Sequence, residues 1–321
     1  MKLLVTGAAG FIGSHLTEKL LNEGHDVRAF VRYNSRNAWG WLEYNDHPNL
    51  EVYSGDIRDY DSVHMAMKGI DVVYHLAALI GIPYSYVSPM AYIKTNVEGT
   101  YNVLQLAREF GVRVVHTSTS EIYGTAQYVP IDEKHPVNPQ SPYAATKSGA
   151  DQLALTYHRS FDTPVVVVRP FNTYGPRQSA RAIIPTIISQ ALSGAKVINL
   201  GNLSPTRDLN YVTDTASGFI KVGMSDMAIG RGINLGTGKE ISIGDLAEKI
   251  LSLVGSEAKI ECETQRLRPQ NSEVERLCSN ADMAKKVSEW RPGVSLDEGI
   301  KKTIEWIKAN LSTYKPSIYN V

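Results

Sequence analysis

The chain has 321 residues, with 33 lysines and arginines against 33 aspartates and glutamates and a formal net charge of zero. That length suggests about two domains and a core large enough to need no covalent staples. The charge balance leaves no broad basic field for nucleic acid or an anionic membrane, so an anionic ligand must meet a local cluster of positive groups.

Short apolar runs alternate with amphipathic stretches up to about position 170. The first run, Lys2–Thr6, reads as a strand; Leu3–Ile12 is too short and too rich in glycine for a secretion signal. Gly7, Gly10 and Gly13 follow it directly and open a predicted helix, Phe11–Asn22. Glycines there let the backbone turn tightly and approach a pyrophosphate seated on the helix N-terminus, so a dinucleotide site is expected, with Phe11 and Ile12 in the same turn. The strand Asp26–Val31 runs into Arg32-Tyr33-Asn34-Ser35-Arg36, with no carboxylate before Glu43. A carboxylate at such a strand end suits NAD and arginines suit a 2′-phosphate, so Arg32, Ser35 and Arg36 favour NADP over NAD. Asp56 and Ile57 follow the next strand and are placed toward the adenine.

After the helix Ser62–Lys68, the strand Asp71–Leu76 ends at Ala77 and Ala78, small enough for a cofactor to lie against. The helix Met90–Glu109 precedes the strand Arg113–Thr117, which ends in Ser118-Thr119-Ser120-Glu121. Next comes a helix over Pro142–Phe161 with Tyr143 and Lys147 at i and i+4, sharing a face. An ammonium beside a phenol lowers the Tyr pKa and equips it to take a proton from a sugar hydroxyl while hydride leaves the same carbon. At the nearby strand end, a hydroxyl can hold the substrate and a carboxylate can do further proton work. The strand Pro164–Val168 closes this half. Repeated strand–helix–strand units predict an α/β fold with a right-handed, doubly wound parallel sheet of Rossmann type.

Beyond Pro170 the rhythm changes: a loop at Tyr174–Arg181, a turn-rich Gly201–Arg207, and helices over Ser242–Val254, Ala281–Trp290 and Ser295–Asn310. The reading is a dinucleotide-binding domain over 1–172 plus about 209–236, and a smaller substrate domain over 173–208 and 237–321. Arg177, Arg207 and Arg268 lie in its loops, where guanidinium groups can hold phosphate oxygens bidentately. Trp39 and Trp41 read as a lid or as local core, His75 and His116 as satisfied core residues, and Lys315–Val321 as a tail. Two cysteines, Cys262 and Cys278, with no C-x-x-C pair, argue against disulfides and a zinc site and for a reducing compartment. No apolar run approaches the about 18–20 residues that span a bilayer, so a soluble, cytoplasmic protein is expected.

Five motifs in order carry a resemblance: the glycine turn, Thr119-Ser120-Glu121, Tyr143-x-x-x-Lys147, Arg169-Pro170-Phe171-Asn172-x-Tyr174-Gly175-Pro176, and Arg207-Asp208-x-x-Tyr211-Val212-x-Asp214. Together they resemble the extended short-chain dehydrogenase/reductase family, with its nucleotide-sugar epimerases, decarboxylases and 4,6-dehydratases. The resemblance implies a nucleotide-sugar substrate, oxidation at C4 by a tightly bound and recycled cofactor, Asn172 and the Ser85 segment at the substrate, and a homodimer through the helices around Met90–Glu109 and Pro142–Phe161. In the dehydratases of the family a Glu matching Glu121 removes the C5 proton, the C6 hydroxyl leaves, and hydride returns to C6. Ser120 stands where several of them carry an aspartic acid, so either Glu121 serves as base and acid or Ser120 relays a proton through water. The Thr-Ser-Glu version is similar to that of GDP-mannose 4,6-dehydratases and of UDP-glucuronate decarboxylases. The segments Arg36–Glu43, Ala78–Tyr86 and Gly175–Ala182 resemble the nucleotide-N-acetylglucosamine 4,6-dehydratases of bacterial legionaminic acid synthesis. That implies UDP- or GDP-N-acetylglucosamine as substrate. The rival readings are a C4 epimerase, which has no use for Glu121, a decarboxylase with Arg181 at the sugar carboxylate, and a catalytically dead scaffold.

Overall fold

The computed structural model describes residues 1–316, 318 and 319; of the expected tail, Ser317, Asn320 and Val321 lie outside the described residues. The first half runs β1 (Lys2–Thr6), α1 (Phe11–Asn22), β2 (Asp26–Arg32), β3 (Leu50–Gly55), α2 (Tyr60–Met67), β4 (Val72–His75), α3 (Ile82–Val87), α4 (Pro89–Tyr92), α5 (Gly99–Phe110), β5 (Arg113–Thr117), α6 (Pro142–Phe161) and β6 (Val165–Pro170). The second half contributes β7 (Asn172–Tyr174), α7 (Ile183–Leu192), β8 (Val197–Leu200), β9 (Thr206–Tyr211), α8 (Val212–Met224), β10 (Gly232–Leu235), β11 (Glu240–Ser242), α9 (Ile243–Val254), β12 (Lys259–Cys262), β13 (Arg276–Leu277), α10 (Asp282–Ser288) and α11 (Leu296–Ala309).

Seven parallel strands form the main sheet in the order β10-β6-β5-β4-β1-β2-β3. The order reverses between β1 and β4, the switch point where doubly wound sheets receive ligands at the carboxyl ends of their strands. The sheet adds β3 and β10 to the five runs delimited above. Edge strand β3 alternates and is mostly half-exposed, so it lacks the continuous apolar run of β6, where Val165 through Val168 are fully buried. Leu16, Leu20, Phe219, Val222 and Trp290 pack on one face of the sheet, and Val63, Met67, Val103, Leu106 and Ala154 on the other.

The chain re-enters this layer through α8 and β10, and β10 pairs with β6. Helix α10, inside the 237–321 stretch, packs on α8 and β10 and contributes Ala284 and Val287 to the first core. A third core, with Ile184, Ile187, Leu246, Ile250, Ile300 and Ile307, holds α7, α9 and α11 on the short sheets around β8 and β9.

Helix α6 begins where the sequence dictates. Pro142 occupies the first turn, and the Ser141 hydroxyl accepts the Ala144 N–H at 3.1 Å. The predicted helix Met90–Glu109 is α4 and α5 joined by a π-helical segment, Ile93–Glu98. Its buried Asn96 accepts from the Leu79 N–H at 2.8 Å and donates to the Leu79 carbonyl and to Thr146, tying the strand-end loop to α6.

Candidate active site

The glycine turn closes against the end of β4. Gly7 has φ +70°, and a Cβ there would stand 2.9 Å from the Ala77 nitrogen; a Cβ on Gly13 would stand 2.2 Å from the Gly7 carbonyl oxygen. The turn therefore admits no side chain and leaves the first turn of α1 bare, a cradle that fits a dinucleotide pyrophosphate. Thr6 fixes the far wall: its hydroxyl accepts the N–H groups of Leu76 and Ala77, each at 3.1 Å.

At the end of β2 the Asn34 side chain accepts the Arg36 and Ala38 N–H groups at 3.1 and 3.2 Å, folding the loop so that Arg32, Ser35 and Arg36 stay exposed. Glu43, the first carboxylate after β2, accepts the Trp39 N–H at 2.7 Å and is thereby committed to the loop itself. Asp56 is paired with Arg58, at 2.9 Å to its Nε; that pairing outweighs partial burial and, with Arg32 adding to it, holds the Asp56 carboxyl below its ordinary range. Ile57 is buried beside Gly99 of α5. Trp39 packs on the first core, and Trp41 meets Trp306 of α11 edge-on at 5.7 Å, so the two tryptophans divide between core and inter-element contact.

Tyr143 and Lys147 lie on the inward face of α6, 8% and 3% exposed. Burial pushes the Tyr143 phenol well above its ordinary value; a hydrogen bond with Thr119 opposes this, and Glu121 adds to it. Burial, rather than the Lys147 ammonium, governs the phenol, and it governs both groups. Lys147 is itself pushed down to about 8 by burial, with Asp151 opposing. Thr119 accepts the Glu121 N–H at 3.3 Å, and both, with Ser120, are buried at the end of β5.

The second half brings Arg207 to the same place. Arg207 is 6% exposed, burial lowers its pKa, and Glu121 is the largest of the charges acting on it. Arg207 and Arg268 share Glu273, at 3.5 and 3.2 Å from one carboxylate oxygen. Asn172, at the start of β7, presents a buried side-chain oxygen with no hydrogen-bond partner among the described residues. Tyr92 stands edge-on to Tyr143 at 6.3 Å, with Tyr84 beyond it at 6.1 Å, an aromatic row leading from the Tyr143 ring.

Two of the candidate substrate residues have protein partners of their own. Ser85 is fully buried and turns its hydroxyl onto the Ile82 carbonyl at 2.6 Å. Arg177 donates to Glu18 of α1 at 2.8 Å and lies over the Trp306 ring. His75 is satisfied by Thr6 and Thr100 at 2.8 and 3.1 Å. His116 departs from the expectation: neither ring nitrogen makes a hydrogen bond among the described residues, and Nε2 faces Asp151 at 3.3 Å. Sequence reading passed over Asp151 and Glu273. Asp151 carried one signal, its i+4 spacing from Lys147; Glu273 carried none.

The family model described as GDP-mannose 4,6 dehydratase matches residues 4–303. A UDP-glucuronate 4-epimerase of Thermodesulfobacterium geofontis is 36% identical over 323 residues, covering 97% of this chain and 98% of that protein. UDP-glucuronic acid decarboxylase 1 of Xenopus tropicalis is 33% identical over 320 residues, covering 97% of this chain and 73% of that one. The crystal structure of DesIV, a dTDP-glucose 4,6-dehydratase from Streptomyces venezuelae with NAD and TYD bound, superposes with a TM-score of 0.89 at 30% identity, covering 98% of this chain and 99% of that chain.

Proposed function

The chain belongs to the extended short-chain dehydrogenase/reductase family of nucleotide-sugar dehydratases, epimerases and decarboxylases, and from that premise we propose that it is a 4,6-dehydratase acting on UDP- or GDP-N-acetylglucosamine. The observation that carries the reading is Glu121, a buried carboxylate at the end of β5 close enough to Tyr143 and Arg207 to act on the charge of both. C4 epimerisation has no work for it; removal of a C5 proton does.

A bound nicotinamide dinucleotide supplies the acceptor, and later the donor, of one hydride. Tyr143, hydrogen-bonded to Thr119, takes the proton of the C4 hydroxyl, and Lys147 stabilises the phenolate from one helical turn away. The C4 ketone acidifies C5. Glu121 removes that proton and returns one to the departing C6 hydroxyl, either directly or through water held by Ser120. Arg207 and Arg268 hold the diphosphate oxygens, and Asn172 holds the sugar nucleotide. Arg32, Ser35 and Arg36, all exposed, favour NADP, and the Asp56 carboxylate is taken up by Arg58. Exposed Met90, Ile93, Tyr101, Phe110 and Phe161 on the α4–α6 side fit pairing of two copies through those helices. The resemblance of segments 36–43, 78–86 and 175–182 supports a place in legionaminic acid synthesis, in the cytoplasm.

Proton NMR in D2O with UDP- and GDP-N-acetylglucosamine, GDP-mannose and UDP-glucuronate in turn tests the reading. A C6 methyl signal with deuterium at C5 is expected from an N-acetylglucosamine nucleotide. A C4 epimer without C5 exchange, or a pentose product, would overturn it.

A further inference from the structure

Tyr143, Lys147 and Asp151 stand at i, i+4 and i+8 of α6, one row on its inward face. Asp151 is 0% exposed and pinned through one carboxylate oxygen: the Ser118 hydroxyl donates to Oδ2 at 2.7 Å and Arg169 Nε of β6 donates to it at 3.2 Å, while His116 Nε2 of β5 lies 3.3 Å from Oδ1 without a hydrogen bond. Burial alone would raise its pKa, but His116, Arg169 and Ser118 together hold the carboxyl below its ordinary range. Lys147 makes no hydrogen bond or ion pair with a protein group among the described residues, and the groups facing it are Asp151, His75 of β4 and His116. Burial keeps both histidines uncharged, and Lys147 lowers them further. Arg169 is taken up by Asp151 and the Tyr123 hydroxyl, with Glu133 beyond it.

We propose that Asp151 is a positioning residue that acts through Lys147, keeping its ammonium charged one helical turn from Tyr143. The idea rests on the assignment of Tyr143 and Lys147 as the proton-handling pair, whichever member of the family the chain is. The pin uses only Oδ2; Oδ1 accepts no hydrogen bond among the described residues, so the carboxylate keeps charge that the pin does not engage. Asn in place of Asp would keep the same shape and the Ser118 contact, yet it would leave Lys147 without a facing anion.

Two measurements on Asp151→Asn separate the roles. In urea unfolding, the part of the pH dependence lost on adding Lys147→Met reports the Lys147 titration without any turnover. That titration is expected to move from about 8 to lower pH by about one unit or more, since an opposite charge had favoured the ammonium. In turnover, the alkaline limb of cofactor reduction by nucleotide sugar is expected to move down equally, with kcat falling more than KM. A pin without an electrostatic role would lower stability and leave both titrations in place, and that result overturns the proposal. If Asp151→Asn does not fold, the double variant Asp151→Asn/Arg169→Gln removes the buried pair together. It should show the same downward shift, because Arg169 is not among the groups acting on Lys147. Should no nucleotide sugar reduce the cofactor, the functional reading fails while the unfolding titration still decides on Asp151.

Discussion

Glu121→Gln separates the two chemistries that this pocket could host. The substitution preserves the volume of a side chain that is 8% exposed, and the Glu121 N–H still reaches Thr119. What changes is charge. Glu121 raises the Tyr143 pKa, so its removal makes the phenol easier to ionise, and C4 oxidation should not slow. Arg207 loses one facing anion but keeps Glu273 and the Thr206 carbonyl at 2.9 Å, so the fold should hold. Loss of the C5 base removes a proton transfer worth about 10²–10⁴ in rate, or about 3–5 kcal/mol of barrier. The nicotinamide absorbance should therefore rise on mixing with substrate and stay up, while the C6 methyl signal forms at least about a hundredfold more slowly. Wild-type methyl formation by Glu121→Gln would refute the assignment of Glu121. An unchanged rate of C4 epimer formation would move the protein to the epimerase branch.

Other residues give narrower tests. Tyr143→Phe should abolish cofactor reduction by any nucleotide sugar while Thr119 keeps its place, and residual reduction near the wild-type rate would put the base elsewhere. Arg32→Asp should shift the ratio of NADP to NAD affinity toward NAD by at least about tenfold, since a phosphate loses a charge-assisted partner; an unchanged ratio in direct cofactor titration would show that Arg32 does not read the 2′-phosphate. The buried Lys147 gives a pH signature in the ligand-free protein. Its pKa falls from 10.5 unfolded to about 8 folded, so between those values the unfolded chain binds more protons and stability rises with pH. The gain by pH 10 is about 3 kcal/mol at most. Urea midpoints between pH 7.5 and 9.5 should climb in the wild type more than in Lys147→Met, and parallel curves would refute the burial argument.

The parts of the site set by local spacing were legible in the sequence. A glycine turn between a strand and a helix, a Tyr and a Lys one turn apart, and a strand ending in Thr119-Ser120-Glu121 each depend on neighbours within a few residues. Contacts that span the chain were not. Nothing in the sequence around Arg177 says that Glu18, 159 residues away, will capture its guanidinium. Nor does the segment around Arg268 announce that Glu273 will bridge it to Arg207. Edge strand β3 was hard to delimit because its exposed face erases the apolar run that marks a strand buried on both sides.

The electrostatics of the Tyr143–Lys147 pair lay further out of reach, because spacing predicts proximity but not solvation. From spacing alone the ammonium should lower the phenol. In the folded chain burial pushes Tyr143 up and Lys147 down, so each group is driven toward its uncharged form. The charged pair, phenolate and ammonium, is therefore disfavoured by burial. The counter-charge that opposes loss of the Lys147 proton is the carboxylate one turn below it, Asp151.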